Sequence, residues 1–259
     1  MRGRRALITG STQGLGLAIA ERLAGEGCNI VLNGFGDAGE IEAIRKRLET
    51  EHGVRVLYHG ADVGDAAQVA DLVEATQRGL GGVDILINNA VVRHFAPIEE
   101  FRPGDWDRAL AVNLSAAFHT TRLTLPGMRS GGFGRIVNVA SVYGLFATVN
   151  RVDYVTTKTA LIGFTRAVAL ETANQDVTCN AICPGTIPTP SIEQRLEAER
   201  GKSGLSRQAA ERAFLASRQP SRRFVMPERV AGLVALLCGP GGADITGAAI
   251  PLDGGWSAA

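Results

Sequence analysis

The 259-residue sequence lacks the features that mark membrane, secreted or nucleic-acid-binding proteins. No apolar run approaches the about 18 residues that cross a bilayer, and the basic N-terminal tip leads straight into a short strand-like run. We therefore expect no membrane anchor, no signal peptide and a cytoplasmic location. The 27 basic residues nearly balance the 26 acidic ones and form no stripe, which argues against nucleic acid as a partner.

Cysteine and histidine are also scarce, with four residues of each. The cysteines form no CxxC pair, and no histidine has the company of other ligands at metal-binding spacing, so we expect no metal site and no disulfide framework. Cys179 and Cys183 are most simply buried thiols. Glycine, by contrast, is abundant at 32 residues, which predicts many tight turns.

Strand-like apolar runs alternate with longer amphipathic segments along the chain. The runs are ALITG, NIVLN, VRVLYHG, VDILINNA, GRIVNVAS and VTCNAIC. Such runs are apolar throughout rather than on one side, which is typical of parallel strands covered by helices on both faces. We predict an α/β fold with a single doubly wound parallel sheet, in one domain over residues 1–259.

The segment at about 188–220 differs from the rest because it is charged, rich in Arg, Glu and Ser, and weakly helical between proline-containing ends. We interpret it as an excursion over the carboxyl edge of the sheet. It is predicted to be a helical substrate lid, and a plain surface loop is the alternative.

The stretch TGSTQGLG places Gly10, Gly14 and Gly16 between the first strand and the first helix. A glycine turn at this point lets backbone N–H groups and the helix N-terminus approach a pyrophosphate. By the same logic, Asp62 in GADVGD is expected to accept a hydrogen bond from an adenine amine, with Val63 packed nearby. A turn or helix-capping role is the alternative for Asp62.

The residues after the second strand bear on which nicotinamide cofactor is used. NGFGD, residues 33–37, has neither an acid at the strand tip nor any basic residue. Without a cation, the 2′-phosphate of NADP would be poorly compensated. The sequence therefore favours NAD.

Tyr154 and Lys158 lie four residues apart in YVTTK, so on a helix they share one face. An ammonium beside a phenol favours the phenolate and lowers its pKa, which makes Tyr154 a candidate acid/base. Ser141 is expected to donate to the substrate oxygen, and Asn113 to hold a water that connects Lys158 to solvent. A Tyr and a Lys at this spacing are common on helix surfaces without any catalytic role. Together with the glycine turn, the pair becomes a specific indication of an active site.

TGSTQGLG, NNA, Asn113, Ser141, YVTTK and PGTIPTP, in this order and spacing, resemble the short-chain dehydrogenase/reductase superfamily along essentially the whole chain. The resemblance implies a Rossmann-type sheet of about seven strands, a nicotinamide cofactor and a homotetramer. It also implies that Asn113, Ser141, Tyr154 and Lys158 are catalytic. The cofactor contacts that it implies are Gly10, Thr12, Gln13, Gly14, Leu15, Gly16, Phe35, Asp62, Val63, Asn89, Ala90, Tyr154, Lys158, Pro184, Gly185 and Ile187.

NIVLNGFGD, NLSAAFHTTRLTLPGMR, TCNAICPG and QPSRRFVMPE resemble more narrowly the bacterial D-3-hydroxybutyrate dehydrogenases, an NAD-using group. One departure is Val91, which stands where the superfamily usually has a glycine. Because a β-branched residue does not easily adopt positive φ, we expect a locally altered backbone there.

The substrate pocket departs further from that group. The positions that hold the substrate carboxylate there correspond here to Arg93, Tyr143, Arg151 and Arg195, beside Ser141. Guanidinium groups bind carboxylate, phosphonate or sulfonate with a planar fork, so we predict a small anionic alcohol or ketone. Arg151 and Arg195 also resemble the sulfonate-binding residues of 2-hydroxypropyl-coenzyme M dehydrogenases. The alternative is that these arginines are simply solvated.

Three other functions remain open at this point. The chain could be a D-3-hydroxybutyrate dehydrogenase proper, an NADP-dependent 3-oxoacyl thioester reductase, or a cofactor-binding sensor or scaffold without turnover. His94 could touch substrate or be a loop residue. Trp256 could close a pocket or pack at a subunit contact.

Overall fold

The computed structural model describes residues 1–259, apart from the side chain of Ser191. Its centre is a seven-stranded sheet in the order β3-β2-β1-β4-β5-β6-β7, and every neighbouring pair is parallel. The strands are β1 Arg5–Ile8, β2 Asn29–Asn33, β3 Val56–His59, β4 Ile85–Asn88, β5 Gly134–Val139, β6 Val177–Pro184 and β7 Ala249–Leu252. The predicted doubly wound parallel sheet is confirmed.

In the part of the chain that the structure describes, nine α-helices connect or flank the strands. They are α1 Gly14–Gly25, α2 Ala38–His52, α3 Ala66–Leu80, α4 Pro103–Leu110, α5 Ala116–Gly131, α6 Val152–Thr172, α7 Pro190–Ser203, α8 Arg207–Leu215 and α9 Pro227–Cys238. A π-helical turn, Ala111–Ser115, joins α4 to α5. Within the described chain, no helix is both long and apolar enough to cross a membrane.

The sheet buries a separate core on each face because neighbouring side chains of a strand point in opposite directions. Ile8 packs in one core with Leu23 of α1 and Val230 of α9. Leu7 packs in the other core, with Leu72 of α3 and Met128 of α5. Helices therefore cover both faces, and the strand ends remain as the accessible edge. Strand order reverses between β1 and β4, and open α/β sheets bind ligands at the carboxyl ends beside such a reversal.

The charged segment at 188–220 contains two regular helices, α7 and α8, and is more helical than its sequence indicates. Leu196 and Leu215 form a small core with Ala210 and Phe224, so the segment has its own packing. Thr189 and Ser206 cap the two helices by accepting from backbone N–H groups. Its role as a substrate lid stays a prediction.

The four cysteines are buried, free thiols. Burial raises the pKa of Cys28 and Cys183 to about 11 and that of Cys179 to about 12. These thiols are therefore neutral at physiological pH and unreactive in the folded protein. Among the described residues, no group of three His, Cys, Asp or Glu side chains is arranged to hold a metal ion.

Candidate active site

The turn after β1 requires glycine at two of its positions. A Cβ on Gly16 would lie 2.1 Å from the carbonyl oxygen of Gly10, and a Cβ on Gly10 would lie 2.9 Å from Cα of Ala90. Backbone atoms cannot move aside as a flexible side chain can. Gly14 differs, because it has a φ of +56° but faces open space. The turn is therefore closed on the protein side and open on the solvent side.

The N-terminus of α1 is free to receive an anion. Its N-cap residue Gln13 has extended backbone and makes no side-chain capping bond, whereas Asp37 and Asp65 cap α2 and α3 with their carboxylates. Uncapped N–H groups at a helix N-terminus bind phosphates well. Thr12 and Leu15 are partly buried beside it, Thr12 donating to the carbonyl of Phe35 (2.8 Å). The turn thus fits the pyrophosphate of a dinucleotide.

Asn33, at the tip of β2, is a structural residue of this site that sequence reasoning missed. Its buried amide donates to the carbonyls of His59 (3.0 Å) and Ala61 (2.9 Å) and accepts from the N–H of Gly10 (3.3 Å). The side chain therefore turns inward and ties the ends of β1, β2 and β3 together. The available signal was that β2 ends in a polar residue, Asn33, near the point where NAD-binding folds usually have an acid.

Residues 34–37 form an open surface without a cation just beyond β2. The ring of Phe35 is 61% exposed, and Asp37 accepts from the N–H of Glu40 (3.0 Å) as the cap of α2. No cation belongs to this stretch. The surface thus offers a 2′-phosphate no positive partner.

Asp62 is tied to protein groups on one of its carboxylate oxygens. Oδ1 accepts from Nη2 of Arg108 (2.8 Å) and from the N–H of Gly64 (2.9 Å). The hydrogen bond from Arg108 is the main reason that the pKa of Asp62 is lowered, so this side chain is a carboxylate at neutral pH. Val63 is buried and packs with Val69 and Val112. An adenine contact from either residue stays a prediction.

Asn89 and Ala90 connect β4 to the glycine turn. The hydroxyl of Thr9 accepts from the N–H of Asn89 (2.9 Å) and of Ala90 (3.1 Å), and Nδ2 of Asn89 donates to the carbonyl of Gly10 (2.8 Å). Val91 follows with ordinary backbone, since the non-glycine residues with positive φ in the described chain are Asn150 and Arg222. Val91 therefore does not adopt the left-handed conformation that a β-branched side chain disfavours.

Pro184, Gly185 and Ile187 lie at and just beyond the end of β6. A Cβ on Gly185 would lie 2.7 Å from Oε1 of Gln219, the same oxygen that accepts from the N–H of Thr186. Gln219 is fully buried and was missed from the sequence. Its amide fixes the loop where the base of the 188–220 segment meets β6.

Tyr154 and Lys158 lie on the buried face of α6, as their spacing predicts. Nζ of Lys158 donates to the carbonyl of Val139 (2.6 Å) and lies 5.6 Å from the centre of the Tyr154 ring. Tyr154 is 6% exposed and Lys158 is 3% exposed. The two side chains thus share one enclosed site at the end of β5.

Opposing effects act on the pKa of the Tyr154 phenol. Burial raises it, but the positive charges of Lys158 and Arg93, with hydrogen bonds from Ser141 and Arg93, outweigh burial and lower it. Burial also lowers the pKa of the Lys158 ammonium, and the phenolate of Tyr154 partly opposes that fall. A phenol with a lowered pKa can exchange a proton closer to neutral pH.

Ser141 and Asn113 surround this pair. The Ser141 oxygen accepts from the N–H of Tyr143 (3.2 Å), and the same hydroxyl interacts with the phenol of Tyr154. The Asn113 side chain, in the π-helical turn, accepts from the N–H of Val92 (2.8 Å) and donates to the carbonyl of Val92 (3.0 Å). Asn113 thereby fixes the loop after β4, and its link to a water stays a prediction.

The structure brings three of the four predicted anion-binding residues to Tyr154. The guanidinium carbons of Arg151 and Arg93 lie 4.6 Å and 5.6 Å from the centre of the Tyr154 ring, and the ring of Tyr143 lies 6.4 Å from it. Arg195 contacts another partner: its side chain is exposed on α7 and its guanidinium lies 5.6 Å from the ring of Phe214.

Trp256 packs against aromatic residues of its own chain on this side of the site. Its ring lies 5.4 Å from that of Tyr143 and 5.5 Å from that of Phe146. The C-terminal segment therefore packs against Tyr143, whose ring lies beside Tyr154, and both roles considered for Trp256 stay predictions.

His94 contacts a residue that the sequence gave no reason to consider. Its Nδ1 lies 3.0 Å from Oδ2 of Asp153, which is fully buried and precedes Tyr154 on α6. Because a carboxylate only accepts hydrogen bonds, Nδ1 carries the proton. The two residues lie 59 positions apart in the chain, so no local pattern could have revealed the contact.

Similarity to known proteins extends along the whole chain. Residues 4–200 match the short chain dehydrogenase family. A D-beta-hydroxybutyrate dehydrogenase of Cupriavidus necator is 46% identical, covering 100% of this chain and 99% of its own. One from Rhizobium meliloti is 42% identical, with 98% and 99% covered.

A solved structure of L-sorbose reductase from Gluconobacter frateurii, complexed with NADPH and L-sorbose, superimposes with a TM-score of 0.93 at 32% identity, covering 100% of this chain and 98% of that one. Both the sequence relatives and this structure are oxidoreductases, which supports a nicotinamide cofactor in the cleft described above. The resemblance stated from the motifs is thereby confirmed. The chain belongs to the short-chain dehydrogenase/reductase family and is an alcohol dehydrogenase/reductase of that type.

Proposed function

We propose that this enzyme uses NAD to interconvert a secondary alcohol and a ketone on a small substrate that carries an anionic group. The observation that carries the proposal is the position of Tyr154, buried beside Lys158 and faced by the guanidinium groups of Arg93 and Arg151. A proton-exchanging phenol and an anion-binding group are thus within reach of one small molecule.

Proton transfer is assigned to Tyr154. The phenolate oxygen of Tyr154 takes the proton of the substrate alcohol and becomes the hydroxyl, Ser141 donates to the substrate oxygen, and Lys158 stabilises the phenolate before the transfer. Asn113 holds the neighbouring loop. NAD supplies the hydride acceptor when bound, and the residues of the glycine turn, Gly10 to Gly16, hold its pyrophosphate.

An anionic substrate is supported by the state of Arg151. Its guanidinium stacks 4.0 Å from the ring of Phe95, and burial lowers its pKa. Its Nε is buried without a hydrogen-bond partner among the described residues. A half-buried cation whose buried Nε–H has no acceptor is stabilised by a bound anion. Arg93, Tyr143 and Arg151 would hold this group, which we infer to be a phosphonate, sulfonate or carboxylate.

Arg195 is assigned to substrate binding through movement of the 188–220 segment. In its present position the side chain is exposed and its guanidinium lies against Phe214. Closure of the segment over the cleft would bring this third guanidinium to the substrate. We also propose, from the family resemblance, a cytoplasmic homotetramer.

NAD rather than NADP is supported by the absence of a cation at residues 33–37. Phe35 and Asp37 are side chains that a 2′-phosphate would meet there, and neither is a cation. The family resemblance supports adenosine contacts from Phe35, Asp62 and Val63.

Activity on D-3-hydroxybutyrate is the second candidate, favoured by the 46% and 42% identities to D-beta-hydroxybutyrate dehydrogenases. One panel separates the candidates: NAD reduction with 3-hydroxybutyrate and with hydroxyphosphonates and hydroxysulfonates, and NADPH oxidation with a 3-oxoacyl thioester. We expect the fastest NAD turnover on a phosphonate or sulfonate.

Tyr154→Phe is the matched control for chemistry in this panel, and it should lower kcat by about 100-fold to 10,000-fold. Turnover that survives in Tyr154→Phe would contradict the assigned acid/base. Fastest turnover on 3-hydroxybutyrate would establish the second candidate, and NADPH-dependent thioester reduction would establish a reductase. Cofactor binding without any turnover would indicate a sensor.

A further inference from the structure

The carboxylate of Asp153 is the most deeply buried charged group near the active site outside the assigned machinery. It is 0% exposed. Its Oδ1 accepts from the N–H of Tyr154 (2.6 Å), and its Oδ2 accepts from Nδ1 of His94 (3.0 Å). Burying a carboxylate is costly unless it is paired. The partner that compensates Asp153 is therefore a residue of another element, the loop after β4.

His94 is fixed on more than one side. Its Nε2 lies 3.7 Å from Oδ1 of Asp105, and that carboxylate also accepts from Nε of Arg102 at its other oxygen (2.7 Å). The ring of Phe101 packs edge-on at 6.1 Å. The groups that face the imidazole are thus Asp153 from α6, Asp105 from α4 and Phe101 from the loop before α4.

Arg93 lies between two residues that are each attached to a helix. Val92 is held at both backbone groups by Asn113, and His94 is held by Asp153. The side chain of Arg93 is exposed, and a long exposed side chain loses much rotamer entropy when it is fixed. Its guanidinium nevertheless faces Tyr154. Because Val92 and His94 are both held, the backbone of Arg93 between them is fixed, and this determines where its side chain starts on the way to the Tyr154 phenol.

We propose that His94 and Asp153 are positioning residues, which join the loop after β4 to the first turn of α6 and so hold the guanidinium of Arg93 beside Tyr154. The inference rests on the proposed function for the roles of Arg93 and Tyr154. It adds a pair that touches neither substrate nor cofactor. The carboxylate of Asp153 accepts hydrogen bonds from the backbone of Tyr154 and from His94, which follows Arg93. The phenol of Tyr154 and the guanidinium of Arg93 are therefore positioned by the same side chain.

The test measures the ionisation of Tyr154 itself and needs no substrate. Ultraviolet absorbance is titrated against pH in each protein and in the same protein carrying Tyr154→Phe, and the difference gives the midpoint for this phenol. The charged groups that face it are Lys158, Arg93 and Arg151. Since Arg93 lowers the pKa of Tyr154, Arg93→Ala should raise the midpoint.

His94→Phe keeps an aromatic ring against Phe101 but removes the hydrogen bond to Asp153, and we expect it to raise the midpoint as well. His94→Gln keeps an N–H donor and should retain the parent midpoint. Both substitutions remove any imidazole charge, so the difference between them reports the hydrogen bond alone. Adding His94→Phe to Arg93→Ala should cause no further rise, because the pair acts through Arg93.

Kinetics provide a second reading once a substrate is known. His94→Phe should raise KM for the anionic substrate, by up to about 100-fold, and change KM for an uncharged alcohol of the same skeleton much less. Should His94→Phe fold poorly by circular dichroism, His94→Phe combined with Asp153→Ala removes the unpaired carboxylate and takes its place in both measurements.

An unchanged midpoint in His94→Phe, or midpoint shifts of His94→Phe and Arg93→Ala that simply add, would overturn the positioning role. Failure of the proposed function has another signature: no NAD-dependent turnover, or a KM for anionic substrates that Arg151→Ala leaves unchanged. Neither result alters the titration, so the two failures are distinguishable.

Discussion

The two halves of the cleft present different kinds of chemical groups. On the β1 to β3 side, glycine backbone, the uncapped end of α1 and the inward amide of Asn33 form a surface with no cation at residues 33–37. On the β4 to β6 side, the charged side chains of Arg93, Arg151 and Lys158 surround one phenol.

The difference follows from the ligand group and the chemistry that we propose for each half. Close approach to a pyrophosphate requires backbone N–H groups and the absence of Cβ atoms, whereas proton transfer next to an anion requires placed charges. A change on the first side should therefore affect every substrate equally. A change on the second side should affect substrates according to their charge.

The largest expected effect comes from Gly16→Ala, which breaks the first half. The new Cβ would lie 2.1 Å from the carbonyl of Gly10, so the turn must open and cofactor binding should be lost. The matched control is Gly163→Ala on the exposed face of α6, whose Cβ would meet open space and which should bind NAD as the parent does. Calorimetric titration with NAD and a melting curve measure both variants, and equal losses would show that packing does not govern this turn.

Lys158→Met should give the next largest effect, within the second half. The positive charge of Lys158 helps to hold the pKa of Tyr154 down against burial, so its removal raises that pKa and depletes the phenolate at neutral pH. We expect kcat for alcohol oxidation to fall about 100-fold at pH 7. Part of the loss should be regained as pH rises. A pH profile that keeps the parent shape would argue against the electrostatic role.

Arg151→Ala should separate substrates by charge. Losing one charge-assisted contact costs about 1.5–3 kcal/mol, so KM for the anionic substrate should rise about tenfold to hundredfold while KM for NAD stays constant. Arg229→Ala, on exposed α9 surface, is the control and should match the parent. Steady-state kinetics on one anionic and one neutral alcohol provide the measurement. Equal KM increases for both alcohols would remove the charge-based distinction between the halves.

The smallest effect is expected from adding a cation to residues 33–37, on the β1 to β3 side of the cleft. Phe35→Arg replaces an exposed ring at a position without positive φ, so the fold should be unaffected. An arginine there can pair with a 2′-phosphate, and kcat/KM with NADP should rise about tenfold relative to NAD. If the parent enzyme already prefers NADP, the interpretation that residues 33–37 favour NAD is wrong.

Much of the first half was predictable because its requirements are local. Gly10 and Gly16 stand between a strand and a helix, and the close contacts that exclude Cβ atoms involve backbone of the same turn or of the adjacent strand end. The spacing of Tyr154 and Lys158 was likewise readable, since both lie on one helix. Strand β7 was not identified as such, because a four-residue edge strand that contains Pro251 carries little signal.

The rest depends on contacts between distant parts of the chain. The hydrogen bond of His94 to Asp153 and that of Thr186 to Gln219 join different elements, and no periodicity encodes such pairs. The family resemblance places Arg195 among the anion-binding residues, whereas in this structure its side chain lies on α7 against Phe214, and its role at the substrate stays a prediction. Tertiary packing, rather than the local sequence pattern, determines where these side chains lie.

Arg93 and Arg151 both belong to connections rather than to the interior of helices or strands, Arg93 following β4 and Arg151 immediately preceding α6. Neither contributes to the two sheet cores. Selectivity can therefore diverge through changes in two short segments, 91–95 and 143–151, while the inherited scaffold and its cofactor remain as they are. A combinatorial library confined to those segments would explore new alcohols at little risk to folding, provided that position 94 is varied together with Asp153.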